Sequence, residues 1–162
     1  MLLSLLTFVH VVISLVGIAA GLAVLRGLII GRQPDRWTTI FLGTTVFTSV
    51  SGYFFPADRI LPSHIVGGIS LLVLALAIYA RSARRLQGAW RKVYVIGAVL
   101  ALYLNVFVAV VQAFLKIPAL HALAPTQTEP PFKVTQLAVL VLFVALGTIA
   151  TIRCREKTRG IA

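Results

Sequence analysis

The sequence predicts an all-α integral membrane bundle of five transmembrane helices, and two observations carry that expectation. The first is composition: of 162 residues, 59% are hydrophobic and 12% charged, with a mean hydropathy of +0.99. That is more apolar surface than a water-soluble domain of this size can bury. The second is distribution, because the charges cluster and leave charge-free runs at 1–25, 37–57, 60–80, 93–115 and 134–152. Each run approaches or exceeds the ~20 apolar residues needed to cross a bilayer core. Together they take up 109 of the 162 residues, so no globular domain fits outside the membrane. Backbone groups in hydrocarbon must be satisfied internally, and runs of Leu, Val, Ile and Ala without apolar/polar alternation exclude a β-barrel.

In chain order, the first span (2–30) stops at Gly31-Arg32-Gln33-Pro34, where glycine and proline break the helix and the charge stays in water. The second (37–56) opens at Trp37, an interfacial aromatic, and ends at Phe54-Phe55-Pro56. Its link to the third span (63–80) is only 57–63, which makes those two helices antiparallel neighbours. The fourth (93–115) follows the basic segment 81–92, which carries Trp90 at the membrane surface. The fifth (132–152) follows the longest link, 117–131. In that link Pro118 suits the start of a short helical turn through residues 119–123, after which Pro125, Pro130 and Pro131 impose an extended course. Pro130 or Pro131 fits the first turn of the last helix, with Glu129 at the favourable end of its dipole. The link is either a stiff re-entry segment or a lid over what lies beneath.

Short loops let the Lys/Arg excess set orientation. Twelve basic residues fall on the side of the first-to-second link, the third-to-fourth link and the tail, against Arg59, Lys116 and Lys133 on the other. This places the N-terminus outside and the C-terminus in the cytoplasm. The formal net charge of +11 then reflects topology and anionic lipid headgroups rather than nucleic acid. The first span lacks the basic n-region of a cleaved secretory signal, and its apolar stretch is too long for one. Cys154, the single cysteine, excludes a cysteine-pair redox enzyme.

No Asp, Glu, Lys or Arg lies inside any of the five runs. Carriers driven by protons or sodium usually keep an ionisable group at membrane depth, and voltage sensors need a basic ladder. The four acidic residues, Asp35, Asp58, Glu129 and Glu156, are too scattered to hold metal ions between carboxylates. The intramembrane polar groups can be placed by helical rise. Below the outer surface His10 lies roughly 12 Å, Thr48 and Ser49 roughly 10 to 12 Å, Asn105 roughly 16 Å, Gln112 roughly 6 Å and Gln136 roughly 5 Å. His10, Ser14, Gly17 and Gly21 form one stripe of the first span, and Asn105, Ala109, Gln112 and Lys116 form one of the fourth. Two stripes of small and polar residues can therefore meet. Packing alone accounts for many such stripes, and for the Thr/Ser set of the second span.

A b-type haem needs two axial ligands converging on one iron. His10 is deep, His64 stands at the mouth of the third span, His121 lies in the outer link, and the only methionine is Met1. Ligand geometry therefore disfavours haem, and no cofactor is expected.

The run Thr48-Ser49-Val50-Ser51-Gly52-Tyr53-Phe54-Phe55-Pro56 resembles a family of small bacterial inner-membrane proteins with no assigned activity. So does the longer stretch from Ala101-Leu102-Tyr103-Leu104-Asn105 through Val111-Gln112-Ala113-Phe114 to Thr126-Gln127-Thr128-Glu129-Pro130-Pro131-Phe132. The resemblance implies the bacterial cytoplasmic membrane and assigns no catalytic residue. The residues themselves suggest an outward-facing polar pocket walled by His10, Thr48, Ser49, Asn105, Gln112 and Gln136, with the link bearing His121, Gln127 and Glu129 as its cover. It would bind or pass a small neutral or weakly anionic solute, or a lipid headgroup. The alternatives are an accessory subunit of a larger membrane complex, or a redox subunit binding haem b or quinone. The partners expected are the bilayer and either a second copy or that complex.

Overall fold

The computed structural model describes residues 2–32, 35–55 and 62–159. Among these there is no strand. The helices are α1 (Leu2–Ile29), α2 (Asp35–Ser51) continued by a 3₁₀ turn (Gly52–Phe54), α3 (Pro62–Ser82), α4 (Trp90–Lys116), α5 (Pro118–Leu123) and α6 (Pro130–Arg159). Four of them, α1, α3, α4 and α6, are long and apolar enough to cross a membrane. α2 has 17 residues before its 3₁₀ extension. Pro56 and most of the 57–63 link lie outside the described residues, as do Gln33 and Pro34.

The helices outrun the apolar stretches at their polar ends. α4 begins at Trp90 rather than residue 93, and α6 runs from Pro130 to Arg159 rather than 132–152. Charged residues at a membrane surface lose nothing by staying helical, because their side chains remain in water. α1 ends in a Schellman pair: Arg32 N–H donates to Gly27 O at 2.8 Å and Gly31 N–H to Leu28 O at 3.3 Å. Gly31 takes a φ of +74°, which a side chain would resist. α5 forms at the expected turn, with Pro118 in its first position. Glu129 stands immediately before α6, and its carbonyl accepts from Lys133 N–H at 3.2 Å. Its carboxylate reaches back to Thr126 Oγ1 at 2.8 Å and to the Thr126 and Thr128 amides.

α1 packs on α2, α2 on α3, α3 on α4 and α4 on α1, while α6 lies against both α1 and α4. The core gathers toward one end, which carries the α1–α2 and α3–α4 turns. Val24, Phe41, Leu74, Tyr94 and Leu102 are fully buried there, and Phe143 and Ala150 of α6 join them. That end is rich in arginine, and Asp35 pairs with Arg81 across it. Toward the opposite end the helices present large exposed side chains, Leu5, Phe8 and Leu15 on α1 and Val134 and Leu137 on α6. The bundle is closed at the arginine-rich end and loose at the other.

Candidate functional site

A polar seam follows the α1–α2 contact from the loose end to mid-bundle. His10 and Ser14 sit one turn apart on α1, and Thr48 and Ser51 sit one turn apart on α2, so each pair shares a face. His10 Nδ1 lies 2.8 Å from Ser51 Oγ, and the His10 ring meets Phe55 edge-on at 5.1 Å. Ser51 Oγ also donates to the Thr48 carbonyl, and Ser14 Oγ donates to the His10 carbonyl and to Thr48 Oγ1 at 3.4 Å. The hydroxyls therefore satisfy local carbonyls and still face one another.

The seam ends at Gly17. A Cβ there would stand 3.0 Å from Thr44 Oγ1, 3.3 Å from Asn105 Nδ2 and 3.5 Å from Thr45 Oγ1. Thr44 Oγ1 donates to Ile40 O at 2.7 Å. Thr45 Oγ1 and Asn105 Nδ2, by contrast, are buried without a hydrogen-bond partner among the described residues, in residues 1% and 9% exposed. An unsatisfied buried polar group costs about 1–3 kcal/mol. Both atoms stand within 3.5 Å of where a Gly17 side chain would begin.

One turn further, at Gly21, the character changes. A Cβ on Gly21 would stand 2.5 Å from Leu102 Cδ1 and 2.9 Å from Phe41. Between Gly21, Val24, Leu28, Phe41 and Leu102 there is no room for even one water. The seam is a dead end.

The structure brings His10, Thr48 and Asn105 onto this seam and sends the other expected wall residues elsewhere. Ser49, next to Thr48, is turned about 100° around α2 and donates to Ser70 Oγ on α3 at 3.2 Å, away from α1. Gln112 shares the α4 stripe with Asn105 but is exposed. The two stripes meet at Gly17 and Asn105. Gln136 Nε2 donates to Phe107 O at 3.2 Å, joining α6 to α4, and its Oε1 is buried without a partner. In the link between α4 and α6, His121 is exposed on α5. Gln127 takes a φ of +60° and donates Nε2 to Val111 O at 3.0 Å, tying the link to the end of α4. Glu129 is the cap of α6; desolvation would raise its pKa, but hydrogen bonds from the Thr126 hydroxyl and nearby backbone amides outweigh that and lower it. Ser14, Thr44, Thr45 and Ser51 join the seam though they were not expected among its walls. The signal for them was position: each lies along the α1–α2 contact between the levels of His10 and Asn105.

The three histidines are engaged separately. His10 is on Ser51 and Phe55, His64 stacks on Tyr53 at 5.4 Å, and His121 is on the surface of α5. Among the described residues no three His, Cys, Asp or Glu side chains gather as metal ligands. No known family, curated protein or solved structure matches the chain.

Proposed function

We propose that this chain is a five-span protein of the bacterial cytoplasmic membrane, with its N-terminus outside, whose seam receives a small neutral or weakly anionic solute, or a lipid headgroup, from the outer face. The fifth span is α2. Its 17 residues and the 3₁₀ turn amount to about 30 Å of rise, close to the thickness of a hydrocarbon core. It runs from the level of Arg81 at one end to that of His10 and His64 at the other. The arginines at the closed end supply the orientation.

The observation that carries the functional reading is the pair of buried, unpartnered groups, Thr45 Oγ1 and Asn105 Nδ2, at the floor of the seam. Asn105 Nδ2 is a donor and Thr45 Oγ1 both donor and acceptor, so the pair suits an occupant presenting an oxygen acceptor. The closed layer at Gly21, Phe41 and Leu102 favours binding over flux through the bundle. The deciding experiment is native mass spectrometry of the protein released from phosphatidylethanolamine nanodiscs, with glycerol and phosphoethanolamine as soluble probes, beside an N105L/T45V double variant. A bound mass lost in the variant supports the reading. Identical spectra, with the variant as stable as the native chain or more so, would reduce the seam to packing. A Soret band in oxidised and dithionite-reduced spectra that disappears in His10→Ala would replace the reading with a haem protein.

A second reading, an accessory subunit of a larger complex, is favoured by the stripe Val134, Leu137, Val141 and Val144 on α6, each about 60% exposed. It expects the chain to be degraded when made alone and rescued by its complex.

A further inference from the structure

The α3–α4 turn, at the opposite end from the seam, has an open cavity of about 420 Å³ lined by Arg84, Arg85, Gln87, Gly88 and Trp90. α3 and α4 are both long and apolar enough to cross a membrane, so the turn that joins them lies at a membrane surface. Backbone hydrogen bonds define the turn around the cavity. Leu86 N–H donates to Ala80 O, Gln87 N–H to Arg84 O and Trp90 N–H to Gln87 O, each at 3.0 to 3.1 Å.

Charge and aromatic placement give the cavity its chemistry. The only ion pair among the described residues is Asp35 with Arg81, which leaves Arg84 and Arg85 without an acidic partner there. The Arg84 guanidinium lies 5.0 Å above the Trp90 ring, and Trp90 is held edge-on by Tyr79 at 5.3 Å. Stacking orients the Arg84 fork without using its N–H groups, which remain available to an anion. Trp and Tyr settle at the headgroup level of a bilayer. The amino end of α4 opens on the same cavity and adds its positive partial charge.

We propose that this cavity binds the phosphate of an anionic lipid headgroup, with Arg84 and Arg85 as the phosphate ligands and Trp90 as the wall against the glycerol region. A planar guanidinium fork matches two phosphate oxygens, and the Trp90 ring beside it offers apolar surface that a headgroup joined to acyl chains can use and a free ion cannot. The inference depends on α3 and α4 crossing the membrane and is independent of the seam.

The test uses Trp90 as reporter. The chain has two tryptophans, so Trp37→Phe leaves a single-tryptophan protein. In detergent micelles it is titrated with phosphatidylglycerol, with phosphatidylcholine and with inorganic phosphate, reading Trp90 emission. Phosphatidylglycerol is expected to give a saturable change well below the concentration at which phosphatidylcholine acts. In R84Q/R85Q the midpoint should rise roughly thirtyfold, the effect of two arginines near an anionic surface. R32Q/R36Q removes the same charge at the same end outside the cavity and should change the midpoint little. Should the glutamine variant fail to fold in a thermal scan, R84K/R85K, which keeps the charge but not the fork, carries the comparison and should bind more weakly than the native chain. Equal response to both lipids, or an equal loss in R32Q/R36Q, would overturn the proposal. Saturation by inorganic phosphate at the affinity of phosphatidylglycerol would overturn the lipid as source and make the ligand a soluble anion.

Discussion

The closed and loose halves of the bundle are built from the same three helices, α1, α2 and α4, and differ in what each helix presents at successive turns. At the Gly21 level the neighbours are Phe41 and Leu102, and the glycine gives way to carbon on every side. At the Gly17 level, one turn away, the neighbours are two hydroxyls and an amide. A glycine on α1 serves close packing in one place and access to polar atoms in the other. Small residues in a membrane helix therefore carry no fixed meaning, and the partner helix decides it.

Mutations can break or sharpen that contrast. The largest effect is expected from Phe41→Ala, which empties a fully buried position in the closed half. Unfolding in detergent should show a loss of about 3–5 kcal/mol. Gly21→Ala follows, because its Cβ would overlap Leu102 and Phe41. The cost should be about 1–3 kcal/mol, with Gly17→Ala clearly milder. Equal costs at the two glycines would mean that the seam is packed as tightly as the closed half. Ser51→Ala removes the His10 partner and should cost about 0.6 kcal/mol, the scale of a single interhelical hydrogen bond in a membrane. A much larger loss would show that His10 has no alternative acceptor or donor at that level.

The smallest effect concerns the cap of α6. The Glu129 carboxyl is held below its ordinary value of 4.5. A carboxylate whose folded-state pKa is lowered contributes stability that is complete above the unfolded value and is lost as pH falls through the folded one. Amide exchange at Thr126 and Thr128, whose N–H groups donate to this carboxylate just before α6, should therefore quicken as pH drops from 4.5 downward, after correction for intrinsic rates. Glu129→Gln should remove that dependence while leaving α6 unchanged.

Much of the helical layout was legible because hydrocarbon imposes it. Uninterrupted apolar runs located α1, α3, α4 and α6, and proline chemistry located α5 and the entry to α6. Helix ends were less legible, since hydropathy falls where charges begin while helical hydrogen bonding continues, as at Trp90 and beyond residue 152. Of the seam, the stripes had set His10, Ser14 and Gly17 on one face of the first span and Asn105 on one face of the fourth, and depth alone had suggested Thr48. It failed for Gln112 because a stripe specifies the face of a single helix, and says nothing of the angle at which two helices part. It failed for Ser49 because depth was used without azimuth. Thr44 and Thr45 stayed hidden for the opposite reason: threonine in a membrane helix usually bonds its own backbone, as Thr44 does, so Thr45 gave no sign of standing apart.

The Asp35–Arg81 pair has a bearing on how the molecule comes to be assembled. Asp35 is 78% exposed, so in the finished fold the contact at 2.5 Å is worth only about 0–1 kcal/mol. It joins the start of α2 to the end of α3, and thereby links the hairpin made by α1 and α2 to the hairpin made by α3 and α4. During biogenesis two such hairpins can slide or rotate past one another in lipid, with little apolar driving force to choose among registers. A charge pair at the water boundary forms only where the two hairpins are aligned, so it distinguishes that register from the others. Its contribution is to selection among assemblies, and a charge-reversed D35R/R81D chain should recover the folding yield that either single reversal loses.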